Sequence, residues 1–218
     1  MMNSDERRTN VPTSPARRGY GGRSAEELSA ERRQRLLASG LELFGTQGYP
    51  PTTVEILCRH AKVTTRHFYE QFADRESLLI TLFEAILQET QARVLSVMAD
   101  PVLPPEAKLL AALDTFLAHH LDDPRKARIT TQEILGVSPR AEASRQRVIT
   151  GFAGLLEQYL AMLAANGTLP GRNFRVPAFG IVGAMHELQI AWLDGALGLT
   201  REELVAELGG LVRVVMRD

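Results

Sequence analysis

Thr65, Arg66, His67, Tyr69 and Gln71 place five hydrogen-bonding side chains within seven consecutive positions, with Thr64 just ahead of them. A short segment so dense in donors suits a surface that reads a DNA major groove. Phe68 is the one residue of this run that reads as inward-facing. The elements holding the run are legible in the surrounding stretch, TTVEILCRHAKVTTRHFYEQFADRESLL, from Thr52 to Leu79. Thr53 and Thr64 can each cap a helix by offering a side-chain oxygen to unpaired backbone N–H groups. On the first helix Val54, Leu57 and Ala61 recur at helical spacing and form one apolar face. A tight turn near Lys62 and Val63 then joins it to the second, giving a helix-turn-helix.

The run from Leu36 to Leu79 resembles the DNA-binding domain of the TetR family of transcriptional regulators. The likeness rests on LELFGTQGY at the end of the first helix, TT before the second, AKV at the turn, and FYEQFADRESLL leading into the fourth. Tyr69 and Phe72, followed by basic Arg75 and then Leu78-Leu79, form its most specific part. Cys58, Lys62 and Arg75 depart from the family's usual Ala, Gly and Lys. If the turn needs positive φ at Lys62, its Cβ carries about 1 kcal/mol of strain or more. The resemblance implies base-facing roles for Thr65, Arg66 and His67, and phosphate-facing roles for Thr53, Tyr69 and Arg75. The chemistry agrees: Arg66 can donate bidentately to guanine, and Thr53 and Tyr69 each offer a hydroxyl to a phosphate oxygen. Phe68 and Phe72 read as core.

Composition sets wider bounds. The chain has 218 residues, is 44% hydrophobic, and carries a net charge of −1. Through Arg75 there are 12 Lys and Arg against 9 Asp and Glu, and beyond it 13 against 17. A mildly basic head on an acidic body fits a protein whose head alone meets phosphates. Cys58 is the lone cysteine, which excludes an intrachain disulfide and fits a reducing cytoplasm. No unbroken apolar run approaches the ~20 residues that cross a bilayer, so no membrane partner is expected. No G-x-S-x-G, P-loop, Rossmann glycine pattern or HExxH is present, so an enzyme is not expected, and no cofactor. His119 and His120 are adjacent and would point about 100° apart on a helix, which speaks for a structural role over a metal site.

The pass along the chain predicts an all-α fold of about nine helices. Residues 1–28, with Arg7-Arg8 and Arg17-Arg18, read as a disordered basic arm, either a solvated tail or a segment reaching DNA. A helix from about Ser29 to Gln47 opens the DNA-binding domain, 29–75. Helices from near Asp74 to Met98, Pro105 to Leu121, a short one after Asp123-Pro124, and a long one after Ser138-Pro139 begin the effector-binding and dimerisation domain, 76–218. The last two run over Val176–Leu197 and from the capping box Thr200-Arg201-Glu202-Glu203.

An aromatic and methionine-rich set lies on the body helices, and the resemblance implies an effector cavity among them. Phe83, Leu87, Phe116, Phe152, Tyr159, Met185 and His186 are the candidates. Tyr159 and His186 would be the placed polar groups, with His186 equally suited to a subunit contact. Gly180, Gly183, Ala184, Leu208, Leu211 and Val215 are expected at a homodimer interface built as a four-helix bundle. Together these readings describe a dimeric repressor that binds a palindromic operator in double-stranded DNA. A small, mostly apolar molecule would release it. The alternative is an activator, or a family member controlled by a protein partner.

Overall fold

The computed structural model describes residues 24–217. Most of the expected basic arm lies outside these residues, but its last part does not. Ser24 and Glu27 form a reciprocal capping box, with Ser24 Oγ accepting from the Glu27 N–H at 3.0 Å and Glu27 Oε2 from the Ser24 N–H at 2.6 Å. The first helix, α1 (Ala25–Thr46), therefore starts four residues earlier than Ser29, because a cap outweighs the absence of large apolar residues there. The remaining helices are α2 (Val54–Ala61), α3 (Thr65–Gln71), α4 (Arg75–Met98), α5 (Pro105–Leu121), α6 (Pro124–Arg128), α7 (Pro139–Ala165), α8 (Arg175–Leu193) and α9 (Arg201–Arg217). A π turn, Ile129–Glu133, continues α6. Among the described residues the fold is all-α, without strands.

Each start has its own chemical cause. Asp74 caps α4 through the Ser77 N–H at 2.6 Å, and Ser138 caps α7 through the Ala141 N–H at 3.1 Å. Thr200 and Glu203 close the box that opens α9. Pro105, Pro124 and Pro139 sit in first turns, where a missing N–H costs nothing.

One apolar core runs through α1–α4 and onward into the body. It holds Leu36, Phe44, Leu57, Phe68, Leu78, Leu79, Phe83 and Leu87, and also Ile129, Ile134 and Ala141. The head is thus packed onto the π turn and α7, not hung from a linker. At Gly45 the approach of α6 is closest: a Cβ there would stand 2.9 Å from Arg125 Cα, so only glycine fits. Arg125 bonds Glu42 at 2.5 Å beside this contact. Two further cores lie in the body, one around Leu160, Leu163 and Phe174, the other around Leu113, Leu117, Leu204 and Leu208.

α7 and α8 are long and apolar enough, by length and composition, to cross a membrane. No single unbroken run reveals this, because Glu157 and Glu187 interrupt the runs without making the helices polar. Only 17% of either apolar window is buried within the chain. On α8, Val176, Gly180 and Gly183 form an exposed stripe at i, i+4 and i+7. On α9, Leu211 and Val214 are 49% and 56% exposed. Leu208 and Val212 on the same helix are buried, at 1% and 5% exposed.

His120 is 1% exposed, at the junction of α4, α5 and the π turn. Its Nε2 lies 3.0 Å from Thr90 Oγ1 and its Nδ1 3.1 Å from Thr130 Oγ1, while its ring stacks on Phe116. Each hydroxyl can donate to the ring or to a backbone carbonyl, Ile86 O for Thr90 and Lys126 O for Thr130, so a neutral ring that donates to one threonine and accepts from the other is matched in either tautomer. The neutral imidazole satisfies the set. Burial, aided by nearby His119 and Lys126, pushes its pKa down to about 3. The depressed value fixes the direction of the pH effect: stability is complete above the unfolded value near 6.5 and is lost as pH falls towards 3. Thermal or urea unfolding should lose up to about 1.4 kcal/mol per pH unit in that window. His120→Gln, which cannot protonate, should flatten that slope.

Candidate nucleic-acid interface and ligand cavity

α2 and α3 meet at Lys62, the lone non-glycine residue with positive φ among those described (φ 54, ψ 44). Its N–H closes α2 on the Arg59 carbonyl, and Val63 N–H reaches Cys58 O at 3.0 Å. The turn does require the left-handed region, so the lysine is strained where glycine would not be. Leu57 and Ala61 from α2, Val63, and Phe68 from α3 are buried beneath it. Cys58 joins that core, where burial pushes its thiol pKa up.

On the opposite face of α3, Arg66 has a side chain 88% exposed. Its nearest partner is Glu70, with Nε–Oε1 at 3.3 Å. Exposed pairs of this kind are worth only a few tenths of a kcal/mol, about 0.3–0.5, so they hardly hold the side chain. Thr65 is exposed and Tyr69 is 57% exposed. His67 Nδ1 lies 2.9 Å from the cap hydroxyl of Thr64. Thr53 caps α2 through the Ile56 N–H.

Two expected contact residues hold the head together. Gln71 Nε2 donates to Ser29 Oγ at 2.7 Å, tying α3 to α1, and Arg33 covers the Phe72 ring at 4.5 Å. Arg75 Nη1 donates to three carbonyls, Tyr49 O at 2.9 Å, Pro50 O at 3.1 Å and Thr52 O at 2.7 Å. Its guanidinium lies over the Tyr49 ring at 4.2 Å. Arg75 therefore positions the loop before α2 through Nη1, in addition to the phosphate-facing role expected of it. A lysine point charge could not cover a ring and gather carbonyls in the same way.

That loop is also gripped from the body. Glu133, in the π turn, accepts from the Tyr49 N–H at 2.6 Å and from Arg128 Nε at 2.8 Å. Arg128 Nη1 reaches Thr46 O at 3.1 Å. On the other side, Arg140 at the start of α7 bonds Glu76 at 2.9 Å and Asp74 at 3.0 Å, beside the cap of α4.

Beneath the head the body helices leave two adjoining spaces. The larger, about 350 Å³, is lined by Leu95, Met98, Leu109, Leu113, Leu156, Tyr159, Met162 and Ile181 among others. The smaller, about 70 Å³, is lined by Phe83, Leu87, His120, Thr130, Thr131, Arg145, His186 and Gln189 among others. Phe116, Phe152, Val182 and Met185 border both. All seven residues proposed from sequence for an effector pocket line one or the other. The polar ones that sequence did not single out are Arg145, Thr130, Thr131, Gln158 and Gln189. Gln189 carried a readable signal, a lone amide within an apolar helix. Arg145 pairs with Glu142 at 2.9 and 2.8 Å, which holds that carboxyl down at about 2. Trp192 stands outside both spaces, its Nε1–H donating to Leu199 O.

Residues 36–82 match the family described as bacterial regulatory proteins, tetR family. The helix-turn-helix head thus matches the family's DNA-binding domain. It is 29% identical over 156 residues to the HTH-type transcriptional regulator TcmR of Streptomyces glaucescens, covering 72% of this chain and 64% of that one. The match thus spans less than two thirds of TcmR. Among solved structures it is similar to the fatty acid degradation regulator FadR of Bacillus halodurans (TM-score 0.75, 19% identity, 83% of this chain and 93% of that one). It is also similar to FadR of Bacillus subtilis, solved in complex with stearoyl-CoA (TM-score 0.72, 18% identity, 84% and 97%). The matched head is a DNA-binding domain of the kind these transcriptional regulators carry.

The strained turn gives a direct check on the head. Lys62→Gly should raise stability to denaturant by ~1 kcal/mol, since it relieves a left-handed residue at a small entropic cost. An unchanged or lowered midpoint would show that the turn relaxes without glycine.

Proposed function

We propose that this chain is a TetR-family regulator, a homodimeric repressor that binds a palindromic operator through α3 and is released by a small, mostly apolar ligand. One observation carries the reading: α4 and the π turn each touch both the head and the cavity. α4 sets Arg75 against the loop before α2 at one end, and presents Phe83, Leu87, Val94 and Met98 to the cavities further along. The π turn lines the smaller space with Thr130 and Thr131 and grips Tyr49 with Glu133, two residues later.

The proposed mechanism follows from those two levers. Thr65, Arg66 and His67 read base edges, while Thr53, Thr64 and Tyr69 meet phosphates. Two copies of α3 must lie about 34–36 Å apart to enter successive major grooves. A ligand that presses on Phe83 or Thr131 moves α4 or the π turn, and with it the loop and α3. To lower DNA affinity 100-fold, it must bind the mismatched spacing about 100-fold more tightly than the matched one. The FadR neighbour bound to stearoyl-CoA supports a ligand-responsive body, as does the apolar lining here.

The dimer is proposed to close over the open stripes of α8 and α9. Gly180, Gly183 and Leu211 lie on these stripes, with Val176 and Val214 extending them. Of the other positions expected there, Leu208 is 1% exposed in its own chain's core, and Ala184 and Val215 pack towards the two body cores. They support the interface from behind. A head that works in pairs on DNA belongs in the cytoplasm, and a second copy is the cover proposed for the apolar faces of α8 and α9.

Two experiments test the reading. Arg66→Ala should cost about 1–3 kcal/mol on the site selected from a random DNA pool, with a smaller loss on unrelated DNA. Equal losses on both would make Arg66 a phosphate contact. A Cβ at Gly183 meets nothing within 4 Å in the chain, so Gly183→Trp should leave the protomer folded. Sedimentation should then find a monomer with normal helical content that no longer binds the palindrome. A dimeric Gly183→Trp, or a wild-type monomer that binds the site tightly, would overturn the dimer.

A further inference from the structure

The smaller cavity ends in groups whose hydrogen-bonding needs are unmet. Gln189 is 2% exposed, and its Oε1 has no partner, nor has the buried Nε2 of His186. The amide orientation is fixed, because Gln189 Nε2 donates to the Met185 carbonyl at 2.9 Å. Gln189 is one of the residues that line this space, so the bare acceptor lies at its wall. A buried acceptor without a donor is destabilising, a cost that a purely structural glutamine would not incur. Thr131 adds nothing to satisfy it, since its hydroxyl proton goes to Ala127 O at 2.7 Å.

Charge narrows the occupant further. No carboxylate lines either space, so a cationic head has no counter-ion. Arg145, the one lining cation, is engaged bidentately by Glu142. An anionic head would be repelled by the bare Gln189 oxygen. The larger space offers apolar walls with Gln158 and Tyr159 as its polar members, and joins the smaller one at Phe116, Phe152, Val182 and Met185.

We propose that the ligand is an uncharged amphiphile whose apolar body fills the larger cavity and whose hydroxyl or amide N–H donates to Gln189 Oε1. His186 Nε2 completes this polar end, as donor to a hydroxyl oxygen or as acceptor from a second N–H. The inference rests on the ligand-controlled reading above and adds the chemical class to it.

Three probes of one chain length separate the possibilities on the full-length protein: decan-1-ol, decanoate and 1-methoxydecane, an ether that accepts but cannot donate. Calorimetric titration should find the alcohol bound at least tenfold more tightly than the ether or the carboxylate. In Gln189→Leu the alcohol and the ether should become equal. The same variant should unfold without ligand at an equal or higher temperature than wild type, since it removes an unmet acceptor. The proposal is overturned if decanoate binds best, if the ether matches the alcohol in wild type, if none of the three binds, or if Gln189→Leu lowers the unfolding temperature by several degrees. Gel shifts on the selected DNA site keep the two readings apart. Intact DNA binding without alcohol preference removes the ligand class alone. An alcohol that binds through Gln189 yet leaves DNA affinity unchanged keeps the site and removes ligand control.

Discussion

The constraint on which the molecule depends is that α4 is buried against two different partners along one unbroken length. Leu78 and Leu79, in its first turns, are fully buried in the head core. Phe83 and Leu87 border the smaller cavity, and Val94 and Met98 the larger one. A hydrogen-bonded helix without proline or glycine does not bend at low cost. On the proposed mechanism, displacement at the cavity is carried to Arg75, which gathers three carbonyls of the loop before α2. Close packing makes such a rod respond in discrete steps instead of yielding gradually.

The polar contacts divide by strength in a way that suits this arrangement. Glu133 has a side chain 10% exposed and holds both Tyr49 N–H and Arg128. Charge-assisted bonds in such surroundings are worth about 1.5–3 kcal/mol each, so the junction between π turn and loop is firm. Arg66 and Glu70, by contrast, pair on the open surface and gain little. On the proposed mechanism, firm bonds lie where movement is passed on, and weak ones where side chains are free to find DNA.

The body shows the reverse economy. Gln189 keeps an unmet acceptor, and the apolar walls around Met98, Leu109 and Met162 enclose space that a tightly packed core would have filled. Lys62 adds backbone strain in the head. Local departures of this kind gather where a protein binds or switches. His120 is the contrasting case, a buried polar group whose hydrogen bonds are all made.

The sequence by itself determined the helices and the head. Caps at Thr53, Thr64, Asp74, Ser138 and Thr200 and first-turn prolines are local devices, so their effects stand beside them in the chain. The donor-rich α3 was legible for the same reason, as was the apolar set that lines the cavities. Only the tertiary structure decided what each long side chain reaches. Arg75 and a lysine look alike in sequence, but three carbonyls and the Tyr49 ring, brought together by α1 and α2, make Arg75 a clamp. Leu208 and Leu211 share one stripe in a helical pattern, yet the position of α5 buries the first and leaves the second exposed. Gln189 reads as one polar residue in an apolar helix until α4, α5 and α7 close around it and leave its oxygen without a donor. Periodicity and capping act over a few residues, whereas burial and hydrogen-bond satisfaction depend on elements distant in the chain.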